Sequence, residues 1–182
     1  MKNVIELIIR YRSLVGILCL ISLLYLAEPS PVSVAVGFFF IIAGMFFRAW
    51  ASGYIDKDKE LATNGPFSLT RNPLYFGNFI LGLGIAIAGN NLYSYAIFFG
   101  FYLLFFPFLM VLEHQRLKKQ FGKKYEAYAR KSHSFFPKIK KIKRGEYNIS
   151  YYMKNKEYRV LYFSLFVIAI MILKVLNIIR SS

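Results

Sequence analysis

Arg71, Asn72 and Tyr75 fall together in Arg71-Asn72-Pro73-Leu74-Tyr75-Phe76-Gly77, where a polar loop feeds a long apolar run. An arginine can grip a carboxylate, a side-chain amide both donates and accepts, and a tyrosine hydroxyl can complete a polar pocket. Upstream, Gly65-Pro66 is a turn signal. Pro73 suits the first turn of a helix, where its missing N–H costs nothing. The three polar groups are therefore held at the mouth of a membrane helix, a depth at which fixed polar side chains point to a site by default. Glu113 closes the following apolar run. If those two runs form a hairpin, Arg71 and Glu113 share one membrane face. They would then suit an amino-acid zwitterion, arginine to its carboxylate and glutamate to its ammonium, with helix N-terminal amides adding donors. A plainer reading fits the same residues: Arg71 as a juxtamembrane anchor, paired with Glu113 or with water.

The elements that position these groups follow from composition. The 182 residues are 57% hydrophobic, with a mean hydropathy of +0.43, too apolar for a soluble domain and typical of an integral membrane protein. The formal charge of +15 would suggest nucleic acid in a soluble chain. Here the basic residues lie between apolar runs, which points to anionic lipid headgroups and away from nucleic acid. The single cysteine, Cys19, lies inside an apolar run, so neither an intrachain disulfide nor a cysteine metal site forms. His114 and His133 are far apart and lack partners at ligand spacing.

Five apolar runs are long enough to cross a bilayer of ~20 residues per helix: residues 8–27, 32–50, 73–89, 92–112 and 160–179. In the first, an uncharged stretch from Ser13 to Ala27 follows Lys2, Arg10 and Arg12, as in a signal peptide. Tyr25 two residues before Ala27 is too bulky for cleavage there, so a retained helix with snorkelling arginines is expected. Arg48 and Trp50 mark the second run's end as interfacial. Gly77, Gly82 and Gly84 let another helix or a ligand approach the third, packing being the commoner use. Only Asn90 and Asn91 separate the third and fourth runs, giving a tight hairpin. Pro107 is placed to kink the fourth and open a gap near Glu113. After it, Leu117, Phe121, Tyr125 and Tyr128 recur at helical spacing, predicting one amphipathic helix with a basic face. Lys174 lies near enough to the last run's end to snorkel.

The basic segments (the N-terminus, residues 51–72 and 113–159) all fall on one side if there are five spans, and the loops at Glu28 and Asn90 hold no Lys or Arg. Positive-inside then predicts a cytoplasmic N-terminus and an outside C-terminus. The expected fold is all-α: a single membrane domain of five transmembrane helices, with a cytoplasmic amphipathic helix as a cap. It divides into two leading spans (1–50), a core holding the hairpin (51–137), and a basic segment with the fifth span (138–182). The run Lys138, Lys140, Lys141, Lys143 and Arg144 reads as a plain lipid anchor.

Taken together, Leu61-x-Thr63-x-Gly65-Pro66-Phe67, Arg71-Asn72-Pro73-x-Tyr75-x-Gly77, and Glu113-x-x-x-Leu117-x-x-x-Phe121-Gly122-x-x-Tyr125-x-x-Tyr128 with Pro137 resemble the isoprenylcysteine carboxyl methyltransferase and phospholipid methyltransferase superfamily. The resemblance spans roughly residues 52–137 and rests on the order and spacing of the pieces. It implies a membrane-helical methyltransferase using S-adenosylmethionine, with a lipid or small hydrophobic acceptor entering from the lipid side. Carried over, Lys59, Glu60, Leu61 and Ala62 flank the cofactor, and Phe67 is the aromatic beside it. Asn72, Pro73, Leu74 and Tyr75 line it, and Glu113 holds its amino group. Arg71 supports the same cluster and, with Tyr75, stands nearest the reaction.

Three departures from the family pattern bear on the substrate. Asn72 stands where eukaryotic members have histidine, and an amide cannot titrate. His114 replaces the second of two glutamates. Leu109 occupies the position of the arginine that meets the substrate carboxylate in eukaryotic prenylcysteine enzymes, which argues for another acceptor. Two other readings stay open. NADPH-dependent membrane sterol reductases resemble the Arg-x-Pro-x-Tyr-x-Gly region, though they usually carry an acid where this chain has Asn78. A non-enzymatic lipid-binding protein would also use such helices.

Overall fold

The computed structural model describes residues 2–56, 60–138 and 141–181, with the side chains of residues 2–9 and 178–181 excepted. Among the described residues the chain is helical without strands: α1 (Lys2–Leu26), α2 (Pro31–Ser52), α3 (Pro73–Gly89), α4 (Leu92–Phe121), α5 (Lys123–Lys131), α6 (Ile149–Lys154) and α7 (Tyr158–Ser181), with a 3-10 turn at Gly65–Ser68. Three of these, Pro31–Ser52, Leu92–Phe121 and Tyr158–Asn177, are long and apolar enough to cross a membrane, and α3 is a shorter apolar helix. Only 22% of each apolar window is buried within the protein. Phe39, Phe46, Leu103 and Phe166 point outward instead, which is the pattern of helices solvated by lipid rather than by water.

The helices start and stop where local chemistry dictates. Ser30 and Ser33 form a reciprocal capping box ahead of α2, with Pro31 at its first position. Asn90 takes a left-handed conformation to end α3, and Asn91 caps α4 by accepting from the Ser94 N–H.

Helix α3 is the centre of the arrangement, and α2 lies closest to it. Gly37 and Gly44 of α2 meet Gly84 and Gly77 of α3 in antiparallel register, each pair spaced by one heptad. Without side chains between them the two backbones touch, as membrane helices do at small residues. Gly82 instead faces the Phe98 ring of α4. A Cβ on Gly44 would lie 2.6 Å from the Leu81 nitrogen, so Gly44→Leu must drive the helices apart. Thermal unfolding in detergent should show a loss of about 1–3 kcal/mol. Gly100→Ala, where nothing lies within 4 Å, should be neutral in the same assay.

The structure departs from the sequence-based expectations at three points. Helix α4 runs unbroken through Pro107 to Phe121, nine residues past the end expected at Leu112. The single amphipathic helix is in fact two pieces: Leu117 and Phe121 close α4, while Tyr125 and Tyr128 belong to α5. Gly122, at φ +50°, makes the corner between them, and because the break is one residue long the spacing survives it. Lys174 does not reach for headgroups. Its Nζ donates to the carbonyls of Leu24 (2.9 Å), Tyr25 (3.0 Å) and Ala27 (2.6 Å). It thereby satisfies the orphan acceptors at the C-terminus of α1.

Candidate functional site

Three pieces of backbone enclose the site. The loop before α3 is tied down by the segment after α5. The Gly65 N–H donates to Lys143 O (2.9 Å), the Arg71 N–H to His133 O (2.9 Å) and the Lys138 N–H to Leu69 O (3.0 Å). Thr70, wholly buried, adds its hydroxyl to Phe135 O at 2.8 Å. From α5, the Tyr128 hydroxyl donates to Phe67 O at 2.7 Å. The Tyr128 phenol is pushed up by burial above all, so it remains a donor at neutral pH. Removing that hydroxyl with Tyr128→Phe should cost about 1 kcal/mol of stability, read in a denaturant or thermal series, and loosen the loop.

Between this loop, the start of α3 and the last turns of α4 lies a cavity of about 970 Å³, which continues toward α1 and α7. Glu60, Leu61, Ala62, Phe67, Arg71, Asn72, Pro73, Leu74, Tyr75 and Glu113 all line it. These are the residues singled out from sequence, except Lys59, which lies outside the described residues.

Their individual settings differ. Among the described residues Arg71 and Glu113 do not pair with each other. Glu113 meets Arg116 at 3.6 Å on the same helix and keeps 32% of its side chain exposed. The Arg71 guanidinium acts instead on the Tyr125 phenol. The Tyr125 oxygen lies 2.9 Å from His114 Nδ1. The Tyr125 phenol is raised mainly by burial, with the Arg71 guanidinium pulling the other way. Asn72 spends a donor on Ser134 O at 2.7 Å, so its amide helps hold the loop and leaves its carbonyl oxygen for a ligand. Tyr75 packs edge-on against Phe106, and its backbone carbonyl accepts from the Tyr102 hydroxyl at 3.1 Å.

Sequence reasoning missed four groups on the same cavity wall: Arg12, Arg48, Asn78 and Glu157. Arg48 and Glu157, 109 residues apart, form a bidentate ion pair at 2.8–3.0 Å. Arg48 also donates to Asn78 Oδ1. The only hint in the sequence is one acid at the head of the last apolar run and one arginine inside the second.

A sequence profile of the phospholipid methyltransferase family matches residues 11–124. The chain belongs to that family. That family is part of the integral-membrane methyltransferase superfamily that also holds the isoprenylcysteine carboxyl methyltransferases. Among curated relatives, it is 30% identical over 112 residues to the nickel-cobalt-cadmium resistance protein NccN of Alcaligenes xylosoxydans xylosoxydans, covering 60% of this chain and 52% of that protein. It is 31% identical over 119 residues to the cobalt-zinc-cadmium resistance protein CzcN of Cupriavidus metallidurans, covering 64% of this chain and 54% of that protein. The chain thus matches about half the length of these relatives. No solved structure matches it. In this phospholipid methyltransferase family member, Arg12, Arg48 and Asn78 fall within the matched stretch, whereas Tyr125, Tyr128 and Glu157 lie beyond it.

Proposed function

We propose that the chain transfers a methyl group from S-adenosylmethionine to a lipid or small hydrophobic acceptor at the cytoplasmic membrane face. The observation that carries this reading is that the loop residues 60–62, Phe67, residues 71–75 and the distant Glu113 all line one cavity at the end of the helix bundle. The donor set fits the cofactor. Glu113 suits its ammonium, Arg71 and the first-turn amides of α3 suit its carboxylate, and Phe67 offers an aromatic face. S-adenosylmethionine supplies a methyl carbon on a sulfonium. Held by these residues, it would pass that methyl to an acceptor lone pair and depart as a neutral thioether, with any acceptor proton going to water. Such a displacement needs positioning and a water-poor path more than a strong base. The chain provides these through the tied loop, Tyr75 and the Phe106 and Leu109 wall.

In this reading α1, α2, α3, α4 and α7 are five spans, the N-terminus and cavity are cytoplasmic, and α5 with the segment behind it caps the site. The relatives' names speak of metal resistance. Among the described residues no three His, Cys, Asp or Glu side chains stand together as a metal site needs. We therefore read any role of this chain in metal resistance as acting through methylation of a membrane component.

Calorimetric titration of the detergent-purified protein with S-adenosylhomocysteine, and in parallel with NADPH, tests the reading. Saturable binding of the thioether alone is expected. Binding of NADPH alone would move the chain to the sterol-type reductases, and binding of neither would favour a non-enzymatic lipid-binding protein.

A further inference from the structure

The basic run from Lys138 to Arg144 reads from sequence as a plain lipid anchor, yet the backbone at Lys143 helps to hold the wall of the site. Lys143 bonds the 3-10 turn Gly65–Ser68 twice. Its carbonyl accepts from the Gly65 N–H at 2.9 Å, and its N–H donates to Ser68 Oγ at 3.2 Å. The Tyr54 hydroxyl donates to Gly145 O at 3.2 Å, and the Asn148 N–H to Gly53 O at 2.9 Å. The fit is close. A Cβ on Gly145 would lie 2.7 Å from Asn64 Cβ, and one on Gly53 would run into the Tyr147 ring. Residues 143–148 are therefore a strap laid across the loop that carries Phe67, and Phe67 lines the cavity.

The side chains of the strap have a different character. Lys141, Lys143 and Arg144 are exposed, and Glu146 is the one acid among residues 141–149. Cations so close together repel one another unless an anionic surface neutralises them. Ile142 is exposed among them, and so are Ile149 and Met153 of α6, which are four residues apart and share a face. Basic and apolar groups side by side suit a lipid interface, where headgroups take the charges and acyl chains the apolar groups. A nucleic acid would use the charges alone and leave the isoleucines and the methionine in water. The location agrees. The strap is fastened to Gly53, and Asn155 fastens α6 to Ser52 and Ile55. Both attachments are at the end of α2, a helix long and apolar enough to cross a membrane.

We propose that the strap senses membrane charge: anionic lipid headgroups bind Lys141, Lys143 and Arg144, hold the strap against the Gly65–Ser68 turn, and so raise the affinity of the cavity for its ligand. Lys143 joins the two halves, with its side chain open to headgroups and its backbone bonded to the turn. Such coupling is reciprocal, so a ligand in the cavity also tightens the strap on an anionic surface. That this ligand is S-adenosylmethionine or its demethylated product rests on the methyltransferase reading above, whereas the binding of lipid by the strap does not.

The test places the full chain in nanodiscs of phosphatidylcholine alone and of equal parts phosphatidylcholine and phosphatidylglycerol. Amide hydrogen exchange follows the strap. Calorimetry follows S-adenosylhomocysteine, which carries no net charge and so is not concentrated by the anionic surface itself. Anionic discs should slow exchange at the Gly65, Lys143 and Asn148 amides, and should raise S-adenosylhomocysteine affinity about tenfold. High salt should remove both effects. Lys141→Gln, Lys143→Gln and Arg144→Gln combined should bind S-adenosylhomocysteine in phosphatidylcholine discs as the wild type does, and gain nothing from phosphatidylglycerol. That result separates a sensor from a general effect of lipid on the bundle, since these three side chains do not line the cavity. Exchange that is alike in both discs, or a gain retained in the triple variant, would overturn the proposal. Slower exchange with S-adenosylhomocysteine affinity unchanged would overturn the coupling. Slower exchange with no S-adenosylhomocysteine binding in either disc would instead overturn the methyltransferase reading, while the anionic-lipid surface of the strap stands.

Discussion

Glu113→Ala is expected to lower S-adenosylhomocysteine affinity by about 30-fold while leaving the thermal midpoint nearly unchanged. Glu113 lines the cavity and is the acid available to a ligand ammonium at the end of α4. Truncating one partner of a charge-assisted contact costs about 2–5 kcal/mol when the contact is buried. Because about a third of the Glu113 side chain is exposed, the lower end applies, and ~2 kcal/mol corresponds to roughly 30-fold. Its intramolecular partner is Arg116, one turn along the helix at 3.6 Å and half exposed. A pair of that kind contributes under about 1 kcal/mol to folding. The two effects therefore separate: affinity falls and the fold persists. Calorimetry and a melting curve on the same sample read both. Wild-type affinity in the variant would remove Glu113 from the site, and a collapsed melting curve would show that it has a structural role instead.

The contrast between Glu113 and Glu157 shows what a sequence can and cannot disclose about such a site. Glu113 was legible because local order carries it. It follows an apolar run, and helical spacing links it to Leu117 and Phe121, so its membrane depth can be read by counting residues. The loop residues from Glu60 to Tyr75 were legible for the same reason, since a turn signal and Pro73 fix where α3 begins. Depth, however, says nothing about rotation around a helix axis. Arg48 reads as the interfacial end of its helix, and only packing decides that it turns inward. The decisive contacts are the glycine pairs that press α2 onto α3, bringing Asn78 within its reach. Lys174 fails for a related reason. Its chain position fits snorkelling, yet three backbone carbonyls at the end of α1 offer better partners than a headgroup. Gly122 was read as part of a continuous helix because a one-residue corner preserves the periodicity on both sides.

Arg48→Met and Glu157→Met should each destabilise the protein by about 3–5 kcal/mol, and the double variant should recover most of that loss. The pair is bidentate, and the side chains are 13% and 8% exposed. Burying both charges is costly, and their mutual attraction roughly offsets that cost. Removing one leaves the other buried and unpaired, with the full desolvation penalty unopposed. Removing both substitutes methionines of similar reach and leaves only Asn78 without its arginine donor, a lesser loss of about 1–3 kcal/mol. The expected pattern is thus strong non-additivity in a double-mutant cycle, measured by thermal or denaturant unfolding in detergent. The backbone around Glu157 adds to the case. Asn155 Nδ2 donates to the carbonyls of Ser52 and Ile55, fastening the α6–α7 turn to the end of α2. Lys156 adopts φ +56°, a conformation costly for a residue with a Cβ. A turn held in that form to deliver one acid to one arginine implies that the ion pair fixes α7 against α2. If the two losses simply add, the side chains act independently, and α7 is held by its apolar packing at Val167 and Met171 instead.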